Sequence, residues 1–173
     1  MIAISSTVGS SGTFEFLSNF KSVMTTVKTA RSYSVNNVQT AGLSADRYGA
    51  QIDYASDVIT LTLFADTGAT PLVLDTGAND PTDDAIVVGY PKTITGYTLE
   101  HANLDDSTYG FPLTFFYETI STDVTITDHL GNIIEVYDDR FITLKFTDNK
   151  DLERHLLIMQ VSGLVEEYAN NPT

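Results

Sequence analysis

The chain has 173 residues, no cysteine and a net charge of −14, with a sequence pI of about 4.2. This length favours one domain with its own hydrophobic core, and the lack of cysteine excludes disulfides, thiolate metal sites and cysteine nucleophiles. The acidic balance argues against specific nucleic-acid binding, which needs clusters of Lys and Arg. We also expect no membrane span and no secretory signal peptide, because no sufficiently long apolar run and no basic leader pattern occur.

The charge is unevenly distributed along the chain. Residues 1–50 hold four basic and two acidic side chains, whereas the remaining 123 residues hold five basic and 21 acidic ones. Either the acidic side chains only keep surface loops solvated, or the mildly basic N-terminal part docks on the acidic body of a neighbouring copy.

The N-terminal part is predicted to contain a polar flexible arm over 1–12 and a helix over 13–30. Apolar residues in this helix recur at helical spacing, which gives it one apolar stripe. The stripe either covers a sheet of the same domain or faces a partner. For the second case, the candidate assembly contacts are the apolar and basic side chains Phe16, Phe20, Lys21, Lys28 and Arg31.

Residues 51–147 form the predicted β body. Val58, Thr60, Thr62 and Phe64 alternate with apolar residues, and further short apolar runs are bounded by Gly, Pro, Asn and Asp. The pattern predicts a mainly β fold, a sandwich or barrel of about seven or eight short, mostly antiparallel strands. Residues 1–173 are therefore expected to form a single domain with helices at both ends.

Two nearly identical turns lie inside this body, Asp66-Thr67-Gly68-Ala69 and Asp75-Thr76-Gly77-Ala78. The second follows an apolar run and resembles the catalytic loop of retroviral-type aspartic proteases. The resemblance implies a homodimer in which Asp75, Thr76 and Gly77 of each chain form half of a site, with two carboxylates sharing a proton. Leu130-Gly131-Asn132 partly matches a later motif of that family.

The same turns have a simpler interpretation, because Asp and Gly are the residues that β-turns require. Their duplication only nine residues apart favours turns, so we predict no catalytic residue and retain Asp75 only as an alternative. The loop 75–84 also carries enough oxygen ligands for a cation, but its spacing is not that of an EF-hand. We predict no metal site and no cofactor, and leave cation binding by this loop open.

The C-terminal segment 149–169 is predicted to be a helix. Leu152, Leu156, Leu157, Val161 and Leu164 recur at helical spacing. Gly163 keeps a strand open as the alternative for 155–168.

The overall layout is an acidic, cysteine-free, Thr-rich β body with terminal helices and an N-terminal arm. It resembles virion proteins of tailed bacteriophages, such as capsid decoration, connector or tail proteins. The resemblance implies a non-enzymatic structural protein, assembled in the host cytoplasm, whose partners are copies of itself and other virion proteins. The alternatives are a homodimeric aspartic protease that uses Asp75 and a surface- or carbohydrate-binding β module.

Overall fold

The computed structural model describes residues 8–38, 45–67, 72–75, 84–104, 109–119, 121, 123–135 and 141–169. These described residues form one helix, α1 (Val8–Asn36), followed by ten strands. In chain order these are β1 (Arg47–Ala55), β2 (Val58–Asp66), β3 (Ala85–Ile86), β4 (Lys92–Thr95), β5 (Tyr97–His101), β6 (Leu113–Glu118), β7 (Val124–Thr127), β8 (Phe141–Asp148), β9 (Glu153–Met159) and β10 (Val165–Tyr168).

The strands form two antiparallel sheets. The first has the order β3-β2-β1-β6-β7, and β4 pairs with the other half of β2. The second has the order β10-β9-β8-β5. β1 and β2 form a hairpin whose two loop residues, Ser56 and Asp57, both have positive φ, which is the geometry of a type I′ turn.

Helix α1 joins the two sheets through one buried face. Phe16, Phe20, Val23, Val27 and Ala30 recur at intervals of three and four residues, and all are almost fully buried. Near the N-terminal half, Phe146 of β8 packs on both Phe16 and Phe20. One continuous core therefore includes the helix and both sheets.

The C-terminal end of α1 is fixed by its backbone. Asn37 has a φ of 47°, and the amide of Val38 donates to the carbonyl of Tyr33. This is the helix-ending arrangement in which one left-handed residue satisfies the last free carbonyls. Inside the helix, the buried Ser34 hydroxyl donates to the carbonyl of Glu118 on β6, which ties this end to the first sheet.

The mainly β fold with an N-terminal helix is confirmed, but the predicted C-terminal helix is wrong. Residues 149–169 contain β9 and β10, joined by a turn in which Gly163 has a φ of 60°. β9 lies between two strands and buries consecutive residues on both faces, so its apolar run resembled a helix pattern.

Other predicted boundaries also differ from the structure. The ten strands of the described residues exceed the seven or eight predicted, and strand structure begins at Arg47 rather than at residue 51. Helix α1 extends beyond 13–30 at both ends and includes residues assigned to the arm, while residues 1–7 lie outside the described part.

Candidate functional site

The first of the two Asp-Thr-Gly turns begins at the end of β2. The carboxylate of Asp66 is almost fully buried and lies 3.2 Å from the Arg47 guanidinium at the start of β1. Arg47 also contacts Glu118 at the end of β6, at 3.4 Å. Asp66 is therefore one of two carboxylates that bind Arg47 where three adjacent strands meet.

The second Asp-Thr-Gly segment begins beside Asp84, a carboxylate that the sequence analysis considered only as one oxygen ligand of a possible cation loop. Asp84 is 6% exposed, and its carboxylate accepts hydrogen bonds from the amides of Thr67 and Asp75, both at 2.9 Å. The amide of Asp84 donates to the carbonyl of Asp75, also at 2.9 Å. Asp84 thus ties Thr67 of the first segment to Asp75 of the second, a role that one Asp among several in a polar stretch does not signal.

The structure describes only part of the proposed protease motif. Asp75 follows a short turn, whereas Thr76 and Gly77 lie outside the described residues. The prediction of no catalytic residue therefore stays a prediction, and Asp75 stays its untested alternative.

The possible cation loop 75–84 is likewise described only at its ends, Asp75 and Asp84. Across the described residues of the whole chain, no group of three or more His, Asp or Glu side chains lies close enough to hold a metal ion. Within the same residues, no helix has the length and apolar character needed to cross a membrane.

The five candidate assembly residues occupy different environments. Phe16 and Phe20 are each 1% exposed and belong to the chain's own core, so their side chains are not part of the surface. The helical spacing identified the apolar face correctly, but this face is covered by the domain's own sheets. Lys21 and Lys28 are exposed, and Arg31 is half-buried.

Lys28 and Arg31 line a groove between the C-terminal half of α1 and the β9–β10 turn. We call it the helix groove and define it by Lys28, Arg31, Val35 and Leu164. It encloses about 430 Å³. Val35 is 57% exposed and Leu164 is also exposed, so apolar and basic side chains lie side by side.

The two cations of the helix groove have no ion-pair partner among the described residues, and the buried Nε of Arg31 has no hydrogen-bond acceptor there. Arg31 lies near the buried Tyr117, whose hydroxyl donates to the Gly163 carbonyl at 3.4 Å. Burial strongly raises the pKa of Tyr117, and the positive charge of Arg31 opposes this rise. Tyr117 therefore stays neutral and supplies no counter-charge.

A second exposed apolar region follows β7. We call it the 130–135 surface and define it by Val73, Leu130, Ile133 and Glu135. Leu130 is 71% exposed, and Val73 and Ile133 are also exposed. Ile134 is buried between the exposed Ile133 and Glu135, so these two side chains share the solvent face.

The turn before this surface is organised by Asp128. Its carboxylate accepts hydrogen bonds from the amides of Leu130 and Asn132, both at 2.9 Å, and from the Asn132 side chain. Burial alone would raise the pKa of Asp128, but the hydrogen bonds from Asn132 and Leu130 outweigh it and lower the pKa. The turn is therefore held in one shape that keeps Leu130 in solvent.

No known protein family, curated protein or solved structure matches this chain.

Proposed function

We propose that this protein is a non-enzymatic structural subunit of a large symmetric assembly built from copies of itself. The observation that carries the proposal is the presence of two separate surfaces of the same kind. The helix groove and the 130–135 surface each combine exposed large apolar side chains with a charge that has no partner among the described residues.

Such surfaces are typical of protein contacts rather than of a solvated exterior. Exposed apolar side chains that cluster beside polar groups mark interaction sites, and complementary charges fix which surfaces meet. A subunit that uses two different surfaces makes head-to-tail contacts, and these close into rings or continue as tubes. This arrangement suits a repeating building block.

We further propose that the assembly is a virion component of a tailed bacteriophage, namely a capsid decoration, connector or tail protein, with other virion proteins as additional partners. The support is the acidic, cysteine-free, Thr-rich β body of a chain whose net charge is −14. In a ring or tube, an acidic lumen would repel DNA phosphates, and on a capsid exterior the same charge would keep the surface solvated. In this proposal the two sheets pack as a sandwich, which gives the subunit a rigid body.

The experiment is a measurement of mass in solution by light scattering, over a range of protein and salt concentrations, followed by negative-stain electron microscopy. We expect a discrete oligomer whose mass falls as salt rises, because salt screens charge contacts at the surface. A monomer at every protein concentration, at both low and high salt, would contradict the proposal.

Deletion of residues 1–30 is not a suitable test. Helix α1 contributes buried Phe16, Phe20 and Val27 to the core, so its removal would expose the apolar faces of both sheets. Substitutions on exposed residues change the contacts without removing this packing.

A further inference from the structure

We infer that the helix groove of one copy binds the 130–135 surface of the next copy, with Glu135 lying against Lys28 and Arg31. This inference rests on the proposed function and specifies the contact through which the subunits assemble. It commits to one occupant of the groove, a second copy of this chain.

Charge complementarity is the first argument. Lys28 and Arg31 are two cations without an anionic partner in the described part of the chain. By contrast, Arg47, Lys145 and Arg154 each form ion pairs within the chain. The groove is therefore a basic site on a protein whose net charge is −14, and the chain itself is rich in the anions that the groove lacks.

Exposed apolar groups lie beside the charges on both surfaces. Glu135 is exposed and carries no ion pair in the described residues, and the exposed Ile133 shares its solvent face. In the groove, Val35 and Leu164 lie beside Lys28 and Arg31 in the same way. Docking would thus remove apolar surface from water on both copies and would pair the charges at the same time. In specific interfaces, buried apolar groups supply affinity and paired charges fix the relative position of the two partners.

Both surfaces are also preorganised by hydrogen bonds within the chain. Asp128 holds the turn that presents Leu130, and Ser34 ties the helix end beside the groove to β6. Neither surface has to become ordered on binding, so the loss of conformational entropy offsets little of the binding free energy.

The test uses two charge reversals, Lys28→Glu and Glu135→Lys, in the full chain. Each variant alone places like charges in every contact, and we expect its dissociation constant to rise about tenfold or more. When the two variants are mixed, every contact between unlike copies regains one positive and one negative side. The mixture is therefore expected to recover the mass of the wild-type assembly.

The matched control is Glu15→Lys, which makes the same charge change beside another exposed apolar residue, Phe14. We expect this variant to assemble like the wild type. All three substitutions lie on exposed side chains, so the far-ultraviolet circular dichroism spectrum of each variant should match that of the wild type.

A second measurement uses the absence of cysteine from the chain. The double variant Val35→Cys, Ile133→Cys should form disulfide-linked multimers under oxidising conditions, and Val35→Cys paired with Phe14→Cys should not. Because no native thiol exists, each crosslink reports on the introduced pair.

The outcomes separate the two proposals. A wild-type protein that stays monomeric contradicts the proposed function itself. A wild-type assembly that is unaffected by both charge reversals, or that is weakened as much by Glu15→Lys, overturns only the inferred contact. Failure of the mixed variants to assemble, together with no Val35–Ile133 crosslink, also overturns it.

Discussion

Replacement of Asp84 tests whether one buried carboxylate holds the two Asp-Thr-Gly turns together. Asp84→Asn keeps the shape of the side chain, but its amide nitrogen cannot accept a hydrogen bond. The amide of either Thr67 or Asp75 would lose its acceptor. It would instead face the NH₂ group of the new side chain, which is another donor. Asp84→Ala would remove both acceptors.

The expected cost follows from the two bonds. A hydrogen bond to a charged group contributes about 1.5–3 kcal/mol, so Asp84→Asn should lower the free energy of unfolding by about 2 kcal/mol and Asp84→Ala by about 4 kcal/mol. For a chain of this size, a loss of about 2 kcal/mol corresponds to a fall in Tm of roughly 4–8 °C.

The assay is thermal and urea unfolding of both variants, with Asp46→Asn as the control because Asp46 is an exposed aspartate. Hydrogen exchange of the Thr67 and Asp75 amides supplies the local readout and should accelerate in both Asp84 variants. If Asp84→Asn unfolds like Asp46→Asn and exchange at both amides is unchanged, the carboxylate does not stabilise this loop and the reasoning fails.

Three further predictions concern the core and its charges. Burial lowers the pKa of His155 in the folded protein below its ordinary 6.5. Below pH 6.5 the unfolded chain therefore binds a proton at this histidine more readily than the folded chain does. Stability should fall as the pH drops from about 6.5 through the lower folded pKa. His155→Gln should flatten this fall in unfolding curves recorded from pH 7 to pH 5, and an unchanged pH profile would contradict the assignment. A Cβ at Gly49 would lie 2.1 Å from the Phe64 ring, so Gly49→Ala should destabilise the fold by about 1–3 kcal/mol. Urea unfolding should show that adding Phe64→Leu to this variant recovers part of the lost stability. Arg47→Met leaves the buried Asp66 without its cation and should lower the free energy of unfolding by about 3 kcal/mol. Glu118→Gln changes a half-exposed partner of Arg47 and should lower it by less than about 1 kcal/mol. Equal losses for the two variants would argue against a buried Arg47–Asp66 ion pair.

The N-terminal helix could be predicted from sequence because its signal is local. Phe16, Phe20, Val23 and Val27 define one face without reference to any other segment. What this pattern could not decide was the partner of that face, since a core stripe and an interface stripe have the same spacing. Phe146, which lies far along the chain, is the residue that covers Phe16 and Phe20.

The C-terminal helix was predicted wrongly for a related reason. His155, Leu156, Leu157 and Ile158 are all buried, because β9 is covered on both faces, and such a strand loses the alternation that identifies strands at a surface. Gly163 was the useful signal, because its positive φ forms the turn between β9 and β10. The five leucine and valine positions at helical spacing favoured a helix, whereas this one glycine favoured a turn between two strands.

The candidate surfaces were predicted only in part. Lys28 and Arg31 were identified from charge, but Val35 and Leu164 complete the groove through a contact between distant segments. The 130–135 surface was missed, because an exposed leucine in a turn has no sequence pattern that separates it from a buried one. Asp84 was considered only as a possible cation ligand, and its role in the loop could not be predicted because its partners are backbone amides, which nearly every residue offers.

The position of α1 has a consequence for the order in which the protein forms during translation. The helix leaves the ribosome before all ten described strands, yet Phe16 and Phe20 contact Phe146 only after β8 is made, and the C-terminal end of the helix contacts the β9–β10 turn later still. At about 5–20 residues per second, Phe16 and Phe20 of the nascent helix lack their contacts with Phe146 for several seconds. Chains that terminate before β8 would never form these contacts, which makes incomplete products targets for chaperones and proteases.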